Sequence, residues 1–356
     1  MTTGGMNKMQ IANQDTVGPL PAEHPRVRKQ KIGVLLLNLG TPDATDYFSV
    51  RRYLSEFLSD KRVIDYPSWL WQPLLQGIIL TSRPFRSGAA YASIWDQRTN
   101  ESPLLVYTRS IAEKMSAEFE ANDNIVIEFG MRYGNPSTPK MIKSLLDQGC
   151  TKILLFALYP QYSATTTATA YDKAFDYLKT IPRQPAIRTA PPWQDDPAYI
   201  ELLAQSIQEK LDELENPPEY ILTSFHGLPK RYLLQGDPYH CLCAKTSRLV
   251  REKLGWPEDQ WITTFQSRFG PEEWLQPYTD KTIEKLAHDG VKRIAIVSPA
   301  FVCECIETLE EIAMEARDEF LENGGEEYTY IPCLNDRDEH IHLLSNYVRR
   351  ELQGWV

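Results

Sequence analysis

The sequence predicts an α/β protein of two similar halves, each a four-stranded parallel sheet flanked by helices, with a cleft between them. Three observations carry this. Phe129-Gly130-Met131-Arg132-Tyr133-Gly134 and Phe265-Gln266-Ser267-Arg268-Phe269-Gly270 share one pattern, F-x-x-R-aromatic-G, so the chain contains a long-period repeat. Each copy is followed by an amphipathic segment of the same length, 140–149 and 281–290, and both segments stop at a glycine, the residue that tolerates the left-handed backbone after a helix. Each segment then runs into an apolar stretch, Ile153–Leu158 or Ile294–Val297, that meets Pro160 or Pro299. Stretches apolar on both sides of the pleat belong to strands covered on two faces, as in parallel sheets.

The remaining elements fall into the same frame. Ile32–Leu39 (IGVLLLNL) opens the first half and runs into a glycine loop. Ile125–Glu128 precedes the first repeat motif, and Ala186–Thr189 closes the half. The second half repeats the order with Tyr220–Phe225, Trp261–Thr264, Ile294–Val297 and Tyr328–Ile331. Helices carrying Ile200-Glu201-Leu202-Leu203 and Ile341-His342-Leu343-Leu344 follow the closing strands. The expected organisation is a disordered N-terminal arm over 1–30, an N-terminal domain over 31–196 with an insertion at 47–107, and a C-terminal domain over 197–335. A last helix over 337–353 is expected to pack back on the first domain.

Composition narrows the function. The 356 residues are 42% hydrophobic and 24% charged, a globular profile, and the net charge of -10 argues against a nucleic-acid binder, which needs a concentrated basic face. No apolar run reaches the length of about eighteen residues needed to span a membrane, and the N-terminal stretch lacks the apolar core of a secretory signal, so the expected location is cytoplasmic. In such a setting the six cysteines do not read as a disulfide framework, and the two C-x-C pairs lack the usual zinc spacing.

In open α/β sheets, ligands bind outside the carboxyl ends of the strands, so the loops there are the ones to inspect. The second half opens on Ser224-Phe225-His226-Gly227-Leu228-Pro229, which places His226 at a strand end facing the cleft. A neutral imidazole can ligate a metal or accept a proton. The loop 298–311 carries Phe301, Glu304, Glu307 and Glu311, and the i, i+3, i+7 spacing of the acids predicts one helical face. That face suits a path for a divalent cation or for protons. The matching first-half loop, Tyr159-Pro160-Gln161-Tyr162-Ser163 and the threonine-rich 164–169, offers hydroxyls and no charge. The insertion contains the apolar stretch 66–80, read as buried core or as an exposed lip that touches a membrane or a flat apolar ligand. Arg83 and Arg86 follow, near Tyr91 and Ser102, and suit a ligand with an apolar body and carboxylate tails.

The strings LLNLGTPD (36–43), RRYLSEFLSDKRVI (51–64), YPQYSATTTAT (159–169), SFHGLP (224–229), FQSRFGPEEWLQPYTD (265–280) and CIETLEEI (305–312) together resemble the ferrochelatase family over about 31–350. The resemblance implies a chelatase-like fold of two Rossmann-like domains and insertion of Fe²⁺ into protoporphyrin IX to form protohaem, the last step of haem biosynthesis. It implies catalytic and iron-site roles for His226 and Glu307, a proton or metal path through Glu304 and Glu311, and porphyrin contacts from Leu39, Arg83, Arg86, Tyr91, Ser102, Arg132, Tyr133 and Phe301. The implied partners are protoporphyrin IX and Fe²⁺, and the 66–80 stretch leaves peripheral membrane contact open beside a buried role. No cofactor beyond the substrate iron is implied. Some members hold a [2Fe–2S] cluster, for which Cys241, Cys243, Cys305 and Cys333 would be the thiolates, but Ala164 stands where some members have a ligand. Many members have histidine at the position of Cys305, which puts weight on His226 and Glu307. Coproporphyrin III as substrate, and a non-catalytic binding protein, remain the rival readings.

Overall fold

The computed structural model describes residues 30–122 and 124–356, so the expected arm lies, but for Gln30, outside the described residues. Eight strands are present among them: β1 (Lys31–Thr41), β2 (Ile125–Gly134), β3 (Cys150–Ala157), β4 (Ala186–Thr189), β5 (Tyr220–His226), β6 (Trp261–Gln266), β7 (Arg293–Val297) and β8 (Glu327–Ile331). They form two four-stranded sheets, ordered β2-β1-β3-β4 and β6-β5-β7-β8, with every pairing parallel. The chain leaves the central strand to one side and returns on the other. The loops after β1 and β3, and after β5 and β7, therefore part and leave a crevice, the usual ligand position in such sheets.

The two-faced burial expected of the apolar runs is seen residue by residue. Val34 and Leu36 enter one core together with Leu154 and Phe156, while Leu35 and Leu37 enter another with Ile153 and Leu155. The first of these cores is continuous across both halves, since it also contains Ile221, Ala295 and Val297. Helices 103–118 (Ile111, Met115), 197–212 (Ile200, Leu203, Ile207) and 338–351 (Leu344, Val348) fill the space between the sheets. Arg349 pairs with Glu118 at 2.9 Å and Lys114 with Asp338 at 3.0 Å, which pins the last helix to helix 103–118.

The apolar stretch of the insertion is split between a buried and an exposed face. Trp71, Leu75 and Leu80 turn inward onto Val50, Tyr53, Leu54 and Leu58. Trp69, Ile78 and Phe85 on the other side are 79%, 64% and 66% exposed, a raised apolar rim. The segment carries a π-helical turn at Leu75–Ile79, and two more occur at Ala164–Ala168 and Leu309–Glu315. Such turns collect at functional sites because they re-aim side chains.

The repeat motif adopts two structures. In the first copy β2 continues past the expected Glu128 through the whole motif, pairing Tyr133 with Gly40 and Gly134 with Thr41. Gly134 has φ 77° and sits so close to the Thr41 carbonyl that a Cβ would be 2.6 Å from it, so only glycine closes this pairing. In the second copy β6 ends at Gln266, because Ser267 takes a left-handed φ of 59° and turns the chain out of the sheet.

Candidate functional site

A cavity of about 670 Å³ lies between the halves, lined by the loops after β1, β3, β5 and β7 and by the insertion. His226 and Glu307 both line it. His226 is the last residue of β5, and its Nδ1–H donates to the Gly227 carbonyl at 2.7 Å. That bond fixes the tautomer and leaves the Nε2 lone pair for a ligand or a proton. Opposite His226 in the sheet stands Gln266. Its amide donates to the Glu307 carbonyl at 2.7 Å and to Glu311 Oε2 at 3.2 Å, so β6 ties the histidine strand to the acidic segment. Ser267, aimed by its left-handed backbone, donates its hydroxyl to the same Glu311 carboxylate.

The acids form a graded row. Burial, and then the charge of Glu307, raise the pKa of Glu311, while its bonds to Ser267 and Gln266 and the nearby His226 oppose the rise. Burial and Glu315 push Glu310 up to about 7. A carboxylate poised near neutrality can take a proton and release it again. Tyr53 and Tyr91 line the cavity from the insertion, and burial holds both phenols far above their ordinary value, with Tyr91 and then Glu307 adding to the rise at Tyr53 and Glu307 adding to it at Tyr91. Cys305 also lines the cavity, and burial and Glu307 keep its thiol protonated.

Of the porphyrin contacts expected from the sequence, Leu39, Arg83, Tyr91, Ser102 and Phe301 line the cavity. Arg83 reaches across the mouth, its guanidinium 4.8 Å from the ring centre of Phe269 of the other half. Among the described residues Arg83 has no carboxylate partner, and burial lowers its pKa. Ser102 caps helix 103–118, accepting from the Leu105 N–H at 3.3 Å.

Four of the expected residues stand elsewhere. Arg132 and Tyr133 do not line the cavity, because β2 is an edge strand one position removed from the crevice. Their side chains instead meet Asp60. Arg86 lies one turn beyond Arg83, outside the cavity, where its charge acts on Glu310. Glu304 does not share a face with Glu307, because the helix begins only at Ile306 and Cys305 is extended. Glu304 is buried away from the cavity, accepting from Tyr330 Oη at 2.7 Å and the Cys333 N–H at 2.9 Å. The sequence reading missed Gln266 and Ser267. Their polarity, where the first copy of the repeat has Gly130 and Met131, was the available signal.

An iron–sulfur cluster does not fit the cysteines described. Cys243 packs with Phe225, Tyr239 and Phe265, Cys305 lies in a different core, and Cys241 is exposed. Among the described residues no three His, Cys, Asp or Glu side chains gather as a metal-ligand group. A divalent cation at His226 and Glu307 would thus meet two protein ligands and depend on further donors from its acceptor molecule.

The family model for Ferrochelatase matches residues 31–352. A ferrochelatase of Allorhizobium ampelinum is 58% identical over 340 residues, covering 96% of this chain and 99% of that protein. One from Agrobacterium fabrum is 59% identical, covering 95% and 98%. Among solved structures, SirB from Bacillus subtilis with Fe³⁺ covers 90% of this chain and 95% of its own at a TM-score of 0.54 and 13% identity, a likeness of fold. A sirohydrochlorin chelatase SirB in complex with cobalt, from Bacillus subtilis subspecies spizizenii, gives a TM-score of 0.51 at 11% identity. With a family model spanning the folded region and relatives alike over nearly their whole length, this chain belongs to the ferrochelatase family.

Proposed function

We infer that the protein inserts Fe²⁺ into protoporphyrin IX to form protohaem, with His226 and Glu307 acting on the metal and on the pyrrole protons. The observation that supports the assignment is that both side chains line one largely apolar cavity, with Gln266 bonded to the backbone of Glu307 beside the histidine strand. In this reading a flat macrocycle lies against Leu39, Phe301 and the inner face of the insertion, all of which line the cavity. The reading assigns Arg83 and Ser102, which line the same cavity, to its carboxylate tails. Loss of two pyrrole protons on one face is served by His226 Nε2, free to accept, and by Glu307 backed by Glu311 and Glu310 for onward transfer. The reading includes no cofactor beyond the substrate iron.

The exposed rim of Trp69, Ile78 and Phe85 supports peripheral contact with a membrane at the cavity mouth. Among the described residues no helix is long and apolar enough to cross one. The reading places the protein in the cytoplasm, with a functional division near residues 196 and 197.

The test is anaerobic incubation of purified protein with Fe²⁺ and protoporphyrin IX, followed by absorbance. His226→Ala and Glu307→Gln should each lose insertion with an unchanged circular dichroism spectrum. Near-normal turnover in either variant removes that residue from the site. Tight porphyrin binding without insertion by the native protein favours a carrier.

A further inference from the structure

Asp60 does not line the cavity, yet it holds three segments that do. Its carboxylate, 7% exposed, accepts from Tyr133 Oη at 2.7 Å and from the Arg132 guanidinium and the Thr169 hydroxyl. The second oxygen accepts from the Arg62 N–H at 2.8 Å, and the Asp60 carbonyl accepts from the N–H groups of Val63 and Ile64 at 3.0 and 2.8 Å. Each partner leads to the wall. Val63 and Ile64 line the cavity directly. Thr169 follows the π-helical turn that presents Thr165 and Thr166. Tyr133 packs edge-on against the cavity residue Phe57, ring centres 5.1 Å apart. The loop after Asp60 also crosses to the other half, where Tyr232 Oη donates to the Arg62 and Val63 carbonyls at 3.3 Å and Arg231 pairs with Asp65.

We propose that Asp60 is a positioning residue for the porphyrin: its carboxylate fixes the loop 60–66, the threonine turn and Phe57 at the spacing that receives the flat macrocycle, without touching substrate. The inference rests on the reading of the cavity as the porphyrin site. The Asp60→Asn amide keeps the size but turns an acceptor into a donor facing Arg132, Tyr133 and Thr169, so the three segments lose their common anchor.

The experiment uses the full chain and two titrations. Steady-state insertion is measured with Fe²⁺ and protoporphyrin varied separately, and quenching of tryptophan fluorescence by protoporphyrin is followed without iron. Asp60→Asn should raise both KM and Kd for protoporphyrin about tenfold, with kcat and KM for Fe²⁺ within about twofold of native. Asp60→Glu should recover part of the shift. Unchanged porphyrin KM and Kd in Asp60→Asn, or a fall in kcat alone, overturns the proposal. If Asp60→Asn does not fold, Thr169→Val removes one donor and should move the same two constants by about threefold, and no movement is equally fatal. Failure of the native protein to bind protoporphyrin is a distinct result, which removes the underlying reading of the cavity.

Discussion

At the ends of corresponding strands the two halves present different walls. β5 leads to His226 and β7 to Glu307 and Glu311, whereas β1 leads to Leu39 and β3 to Tyr159 and Gln161. The divergence recurs in the repeated motif. Arg132 and Tyr133 stay within the sheet and bind the buried Asp60. Ser267 and Phe269 leave it, one to hold Glu311 and the other to meet Arg83 across the cavity mouth. The lesson is that a duplicated sheet supplies matching positions, and the side chains at the strand ends divide the labour. One wall carries a histidine and carboxylates, and the other carries apolar and neutral polar side chains at the matching strand ends.

The comparison can be broken at its strongest point first. Glu307→Gln should lower kcat by ~10³-fold, while the first-half change Tyr159→Phe should lower it by less than ~10-fold, both read from anaerobic iron insertion. Equal losses would mean that the chemistry is shared between the walls. The two copies of the arginine give the next contrast. Arg132→Ala strands a nearly buried carboxylate and should cost ~3–5 kcal/mol in urea denaturation, because an unpaired buried charge is expensive. Arg268→Ala breaks a pair with Asp280 whose side chains are 39% and 38% exposed, and should cost less than ~1 kcal/mol in the same measurement.

The helix that packs between the halves should respond to pH through His340. His340 is fully buried at the start of helix 338–351, its Nδ1–H donating to the Asn335 carbonyl at 2.6 Å. Burial lowers its pKa to about 4, overcoming the opposing pull of that bond. The unfolded chain takes up this proton near pH 6.5 and the folded one does not, so its contribution is intact above about 6.5 and shrinks as pH falls toward 4. The loss should approach ~3 kcal/mol by pH 4, and His340→Gln should flatten that part of the stability profile. An unaltered slope in the variant would assign the acid sensitivity to other groups.

Much of this was legible along the chain. The apolar runs ending at Pro160 and Pro299, and the glycine-stopped helices before them, reported strands covered on both faces, because burial on two sides leaves no room for polar alternation. The rule that strand ends face the crevice pointed to His226 and to the acidic loop 298–311, and the resemblance to a known family singled out Glu307 within that loop. Spacing misled where a helix was assumed too early. Glu304 lies three residues before Glu307, but the intervening Cys305 is extended and sends the two carboxylates to different places.

The sequence by itself determined the duplication and the parallel sheets, since these are written in local periodicity and in glycine and proline punctuation. Only the tertiary structure decided that Arg132 and Tyr133 serve Asp60, that Ser267 leaves the sheet to hold Glu311, and that Arg83 spans the mouth to Phe269. Those pairings join residues far apart in the chain, and a side chain's partner is fixed by which segments the packed core brings together rather than by its neighbours in sequence.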